Sequence, residues 1–420
     1  MPDFAPLVFQ KAAVALGLSM LVLLLWQTRK TVRIAPSYHT TLFLLSFLCF
    51  RIIPFILVYV ILDYDTRSDV PMFYDSAVEA LKLKVVYREF DTAYSPLFPY
   101  LTALPLMVWN SPKAILLLLM LTEGVTLWLT YKLYLPSVDR LRYSDDLLRK
   151  IMLYLMLPIP FVLSVLGGQE DILMWLFGAW ALLIWRRKRD DLWIGIVLGL
   201  GMVVTKAILV LTLIPVFFLV QNRFRYVLGL IIVGLPSLVI MYALAGLEFL
   251  EPIQQANDPR TPNLWTILRP ALGDIVPLGR KSLNWVGLVS ILGLASFVGY
   301  AYRRQGRFFD GFIVLWIVTY AFMMIVQQSS LANYAYIFIM PLVFAAISFD
   351  KKSHLLLLLA FNFTIVVQPP IWWGMDMPLF TSLADFANGW ALTEYLLEII
   401  IVGCLLYIIN LFRTLPKVSP

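Results

Sequence analysis

The chain has 420 residues, 61% of them hydrophobic and only 14% charged, against about a quarter charged in soluble domains, which excludes a soluble fold and points to an all-α polytopic membrane protein. Its net charge of +7 is dispersed as short basic clusters between apolar runs, the distribution of a membrane protein and not of a nucleic-acid binder. No soluble block separates the apolar runs, so residues 1–420 are expected to form a single membrane domain.

The first apolar run, near Phe9 to Trp26, is followed by Arg29, Lys30 and Arg33 and has no small-residue cleavage site, so a retained helix is expected. Further inside loops are marked by Arg140, Arg142, Arg149 and Lys150, by Arg186 to Arg189, and by Arg223 and Arg225. Arg303, Arg304 and Arg307, then Lys351 and Lys352, then Arg413 with Lys417, continue the pattern. The loops at 63–94, 167–171, 246–282, 327–336 and 369–390 then fall on the far side. Asp63 to Tyr100 is the long polar interruption of the first third and crowds seven carboxylates beside the membrane. After it, Pro96 to Trp109 has about fourteen residues and three prolines, short of the ~20 a spanning helix needs, so a re-entrant or interfacial segment is expected there. Leu192 to Val220 must cross twice in about twenty-nine residues, as two short or tilted helices meeting near Lys206. The count is about thirteen crossings, N-terminus outside and C-terminus inside.

Chemistry on the far side is restricted by what is missing there. The two histidines, His39 and His354, fall in inside loops, which removes Ser-His-Asp hydrolysis and His-ligated zinc from the acidic face. There is no Walker phosphate loop and no strand-flanked GxGxxG. Cys49 and Cys404 lie in apolar runs and read as packing thiols. Carboxylates, arginines, tyrosines and amides at a lipid-facing mouth remain. They suit displacement at a sugar carbon, with a carboxylate taking the acceptor proton and a lipid phosphate leaving. Arg51 and Glu123, deep in apolar runs, are expected to pair with each other. Trp265 and the Trp372-Trp373 pair read as interfacial aromatics and are assigned no site.

Asp69-Val70-Pro71-Met72-Phe73-Tyr74, Ala77, Tyr87 and Tyr94-Ser95-Pro96-Leu97-Phe98-Pro99-Tyr100 with Pro105 resemble the first outer loop of the GT-C superfamily of glycosyltransferases. The nearest likeness is to the polyprenol-phosphate-mannose-dependent mannosyltransferases of glycosyltransferase family eighty-seven and the GPI-anchor mannosyltransferase type. Gly168-Gln169 is similar to their GQ turn, and Gly199 to Lys206 followed by Pro215 to their glycine-rich helix. Ser329-Ser330-Leu331-Ala332-Asn333-Tyr334 with Pro341 is similar to their late outer motif, without its frequent histidine. An extra helix also precedes the one that usually starts the fold. The likeness runs from Asp63 to Pro341 and leaves the last outer loop unmatched.

The resemblance implies a GT-C fold and an inverting transferase. Its donor would be a polyprenyl- or dolichyl-phosphate sugar, most readily mannose, and its acceptor a lipid-linked or cell-envelope glycan. By position Asp69 matches the general base; the local alternative is a solvated loop acid or a helix cap. Tyr74, Tyr94, Gln169, Glu170, Asn333 and Tyr334 are candidate substrate-binding residues. Glu170 and Asp171 also sit where first-turn acids suit a helix dipole. Lys206 and Arg269 are the candidate phosphate-holding cations, with Arg67, Arg88 and Arg260 as alternatives. Asp63 and Asp65 form a DxD-like pair able to hold a divalent cation, although the family needs no metal. The site would face the outside at a plasma membrane, or the lumen of the endoplasmic reticulum. A lipid or solute transporter is the competing expectation, a membrane scaffold the third.

Overall fold

A backbone buried in lipid must satisfy its own polar groups, and an apolar run with no strand partner does so only as a helix. In the computed structural model, which describes residues 3–28, 38–135, 144–250 and 258–412, helices dominate and the one sheet-like feature is a bridge between Val86 and Phe90. Among the described residues eight helices are long and apolar enough to cross a membrane. They are α1 (Ala5–Gln27), α2 (His39–Ile61), α5 (Pro112–Tyr134), α11 (Arg223–Ala245), α13 (Lys281–Arg304), α14 (Phe308–Val326), α16 (Lys352–Gly374) and α17 (Gly389–Leu411).

A bent pair, α6 (Ser144–Met156) and α7 (Pro158–Leu166), meets at 55° and is apolar enough for a broken ninth span or a re-entrant loop. Pro158 forces the bend: the residue before a proline is driven out of the helical region, and Leu157 is extended at ψ 139°. The remaining helices are shorter. These are α3 (Val70–Leu81), α4 (Phe98–Met107), α8 (Ile172–Lys188), α9 (Asp191–Val204), α10 (Ala207–Leu219), α12 (Leu264–Leu272) and α15 (Ala332–Ala345).

The expected thirteen full crossings are therefore too many, because several apolar runs break into helices below the spanning length. Leu192 to Val220 resolves, as expected, into α9 and α10 with Lys206 in the break between them. Pro96 to Trp109 yields only the ten-residue α4, too short to span. The clusters at Arg29, Arg140 and Arg413 lie wholly or partly outside the described residues.

Hydrogen bonds between distant segments collect at two opposite ends of the helices. At one end Arg186 donates to the Leu133 carbonyl, Lys150 to Phe344, Trp26 to Phe349 and Arg303 to Gln221. His39 and His354 belong to this basic end as well, beside Tyr131 and Ser348. The other end, reached by α5 at Lys113, α8 at Ile172 and α16 at Gly374, joins all five loops assigned to the far side. Between the ends, Arg51 and Glu123 form the expected buried ion pair, both fully buried, with Nε–Oε2 at 2.6 Å and Nη2–Oε1 at 2.9 Å. Tyr154 and Ser164 donate to the same carboxylate, and Arg51 donates onward to the Phe50 and Leu155 carbonyls.

Candidate functional site

The acidic end is built on α3, whose apolar residues Val70, Phe73, Ala77 and Ala80 recur at helical spacing and are buried. Pro71 in the first turn fits a position whose backbone N–H has no helical partner. Asp69 precedes that turn, yet its side chain makes no capping bond. Its Oδ2 instead accepts from Gln169 Nε2 at 2.8 Å, so the helix-cap alternative for Asp69 is set aside.

Gln169 is the hinge of the cluster. Buried to 3% exposure, it donates to Ser68 Oγ at 3.0 Å as well as to Asp69, while its Oε1 accepts from Asn333 Nδ2 at 2.5 Å. Three segments separated by 100 and 164 residues thus meet on one amide. The neighbouring Gly168 makes this possible, with φ +57° and no room for a Cβ against Val70 and Leu116.

One step further in, Lys206 projects from the break between α9 and α10 onto two buried carboxylates. It is ion-paired to Glu170 and, at 2.8 Å, to Asp171 Oδ1. Its Nζ also lies 5.3 Å from the Tyr94 ring and 5.5 Å from the Tyr334 ring, a cation held between two aromatic faces. Tyr94 is fixed there by edge contact with Phe73, stacking on Phe98 and a bond from Tyr87 to its carbonyl. The backbone supports the same geometry: Ser95 and Leu97 N–H groups donate to Thr205 and Val203.

Two carboxylates against one ammonium leave the trio short of positive charge. Burial raises Glu170 to about 7, with Lys206 pulling the other way and Asp171 and Asp69 adding to the rise. Burial pushes Asp171 upward too, against Lys206. For Lys206 burial acts downward, but Asp171 and Glu170 outweigh it and hold the ammonium well above the lysine range. Asp171 Oδ2 and Glu170 Oε2 are buried without a hydrogen-bond donor among the described residues. The arrangement can store and release a proton near neutrality beside a half-exposed carboxylate, Asp69.

Asp69, Tyr94, Gln169, Glu170, Lys206, Asn333 and Tyr334 are therefore brought together, with Asp171 as an eighth member. Two of the expected residues are not. Tyr74 bonds Asn110 Oδ1 at 3.0 Å on the outer side of α3. Arg269 is spent on Asp274 at 3.0 Å and the Val276 carbonyl at 2.5 Å. Asp63 is exposed and ion-paired with Lys113, which holds its carboxyl below the usual range. No group of three or more His, Cys, Asp or Glu side chains suited to a metal occurs among the described residues.

Sequence reasoning missed Glu394 and Glu398, one turn apart on α17 and both buried. Gln368 and Thr261 donate to Glu394 at 2.6 and 3.2 Å, and Thr266 donates to Glu398 at 2.6 Å. Two acids at i, i+4 inside an apolar run are a signal legible without coordinates. No family profile matches this chain, and no curated protein matches it either.

Proposed function

We propose that the chain is an inverting glycosyltransferase of the GT-C type, moving a sugar from a polyprenyl or dolichyl phosphate to a lipid-linked or cell-envelope glycan on the extracytoplasmic face. Mannose is the sugar the sequence resemblance favours. The observation that carries the reading is the convergence of Asp69, Gln169, the Glu170–Asp171–Lys206 trio and Asn333 at the acidic end of a bundle of apolar helices.

In the proposed reaction Asp69, oriented by the Gln169 amide, accepts the proton of the acceptor hydroxyl while that oxygen bonds the anomeric carbon. The bond from that carbon to the phosphate oxygen breaks on the opposite face, and the lipid phosphate departs with the electron pair. Lys206 is neutralised by two carboxylates, so it meets a phosphate only by giving one of them up. Glu170, raised by burial to about 7, is the partner that protonation would release.

Membranes holding the full-length protein, supplied with synthetic lipid-phosphate sugars, test this directly. Asp69→Asn is expected to lower transfer by roughly 10²–10⁴, the usual worth of a general base. Retained transfer in that variant removes Asp69 from the role. The second reading, a lipid or solute transporter, is favoured by the Glu394–Glu398 pair, two acids inside a span with no cation bonded to either among the described residues. Wild-type protein that transfers from no donor, yet moves a solute or lipid in vesicles, decides for it.

A further inference from the structure

Beyond the trio, the acidic end carries a cavity of about 420 Å³ lined by Asp258, Arg260, Trp372, Trp373 and Asp376, within the roughly 300–1,000 Å³ of small-molecule sites. We propose that this groove is a carbohydrate subsite and that its occupant is a neutral pyranose ring of the acceptor glycan. The assignment to the acceptor rests on the transferase reading; the affinity for a sugar ring rests on the groove alone.

Three observations carry it. Trp373 presents an indole that is 51% exposed, braced edge-on by Trp372 with ring centroids 5.2 Å apart at 70°. Trp372 is itself buried to 2% and locked by a 3.1 Å bond from Nε1 to the Pro378 carbonyl, so the platform is rigid. A fixed, exposed aromatic face is what the apolar face of a sugar ring stacks on.

The polar groups around it match hydroxyls and oppose anions. Arg260 supplies a fork of donors, and its guanidinium has no hydrogen-bond or ion-pair partner among the described residues. Asp258 and Asp376 supply acceptors, giving the lining a formal charge of −1 that repels a phosphate. Asp376 and Met377 both adopt left-handed backbone, φ +62° and +56°, in the turn that carries the second carboxylate into the lining. An indole that merely anchors in the headgroup layer needs none of these companions.

The groove also borders the loop that carries Tyr334. Arg260 N–H donates to the Gln328 carbonyl at 2.8 Å, in the same loop as Tyr334, whose ring faces Lys206.

Saturation-transfer NMR on the full-length protein in nanodiscs, with methyl α-D-mannopyranoside and methyl β-D-glucopyranoside as probes and inorganic phosphate as competitor, tests the groove without catalysis. Wild type and Asp69→Asn are expected to bind at least one glycoside. Trp373→Ala should weaken it about tenfold, as loss of an aromatic anchor does, and Trp373→Phe should retain most of it. An unchanged melting temperature in Trp373→Ala separates lost binding from lost fold. In the transfer assay the same variant should raise the acceptor KM about tenfold and leave the donor KM alone. No glycoside binding by wild type, full binding by Trp373→Ala, or displacement of the glycoside by phosphate each overturns the proposal. Glycoside binding that depends on Trp373, in a protein that transfers from no donor, overturns the transferase reading and leaves the sugar groove in place.

Discussion

A Cβ at Gly168 would sit 2.3 Å from Val70 Cγ2 and 2.8 Å from Leu116 Cδ1, on a backbone at φ +57°. The absent side chain is what lets the turn lie against the first residue of α3 and hold Gln169 on Asp69. Gly168→Ala should therefore lower the melting temperature, with ~1–2 kcal/mol from the left-handed backbone alone, and should cost more activity than Asn333→Ala; equal stability to wild type would contradict it. Glu170 makes a second prediction through pH. Its folded form holds a proton to about 7, above the ordinary glutamate value, so its contribution to stability is complete below about pH 4.3 and is lost as pH rises through 7. Thermal melts should show that decline in wild type and a flatter profile in Glu170→Gln; parallel profiles would refute the assignment. Asp69, Gln169, Lys206 and Asn333 could be singled out from sequence because each sits in an ordered motif with polar chemistry in an apolar setting, and the fold brings them to one end. What Lys206 binds was not readable, since its partners lie 35 and 36 residues back along the chain and only packing decides whether a lysine meets carboxylates or a ligand.

At the level of helices, the clasp of α2 to α5 is the Arg51–Glu123 pair, expected from sequence because two unpaired charges in apolar runs would be too costly. Sequence did not show that Arg51 lies in a π-helical turn, or that Tyr154, Ser164 and two backbone carbonyls complete the shell. Glu123→Ala leaves a buried guanidinium and should cost about 3–5 kcal/mol, measured as lost folded yield in detergent. Exchanging both charges should restore only part of it, because a glutamate at 51 cannot donate to the Phe50 and Leu155 carbonyls; full rescue would show the shell to be dispensable. A different device joins α9 to α11. A Cβ at Gly195 would stand 2.2 Å from the Tyr226 carbonyl oxygen, and one at Gly229 would stand 2.2 Å from that of Leu192, so the two backbones touch. Gly195→Val should separate them, read as loss of folded protein in detergent.

Across the whole molecule, apolar length foretold a helical membrane protein and the basic clusters foretold which loops share an end. The number of full spans was overestimated, because hydropathy registers an apolar run whether or not proline and polar breaks cut the helix short. Cysteine labelling in a background with Cys49 and Cys404 replaced tests the orientation. Asp376→Cys should react with a membrane-impermeant maleimide in intact cells, and Lys351→Cys only after permeabilisation; the reverse pattern would put the acidic end in the cytosol and remove the extracytoplasmic transferase. The amide of Gln169 carries a last implication, for biosynthesis. Asn333 emerges from the ribosome 164 residues after the glutamine it clamps, so the nascent chain threads most of its helices into the bilayer before the acidic cluster can close. Any insertion machinery acting on this protein must shelter an unfinished acidic mouth until α15 arrives.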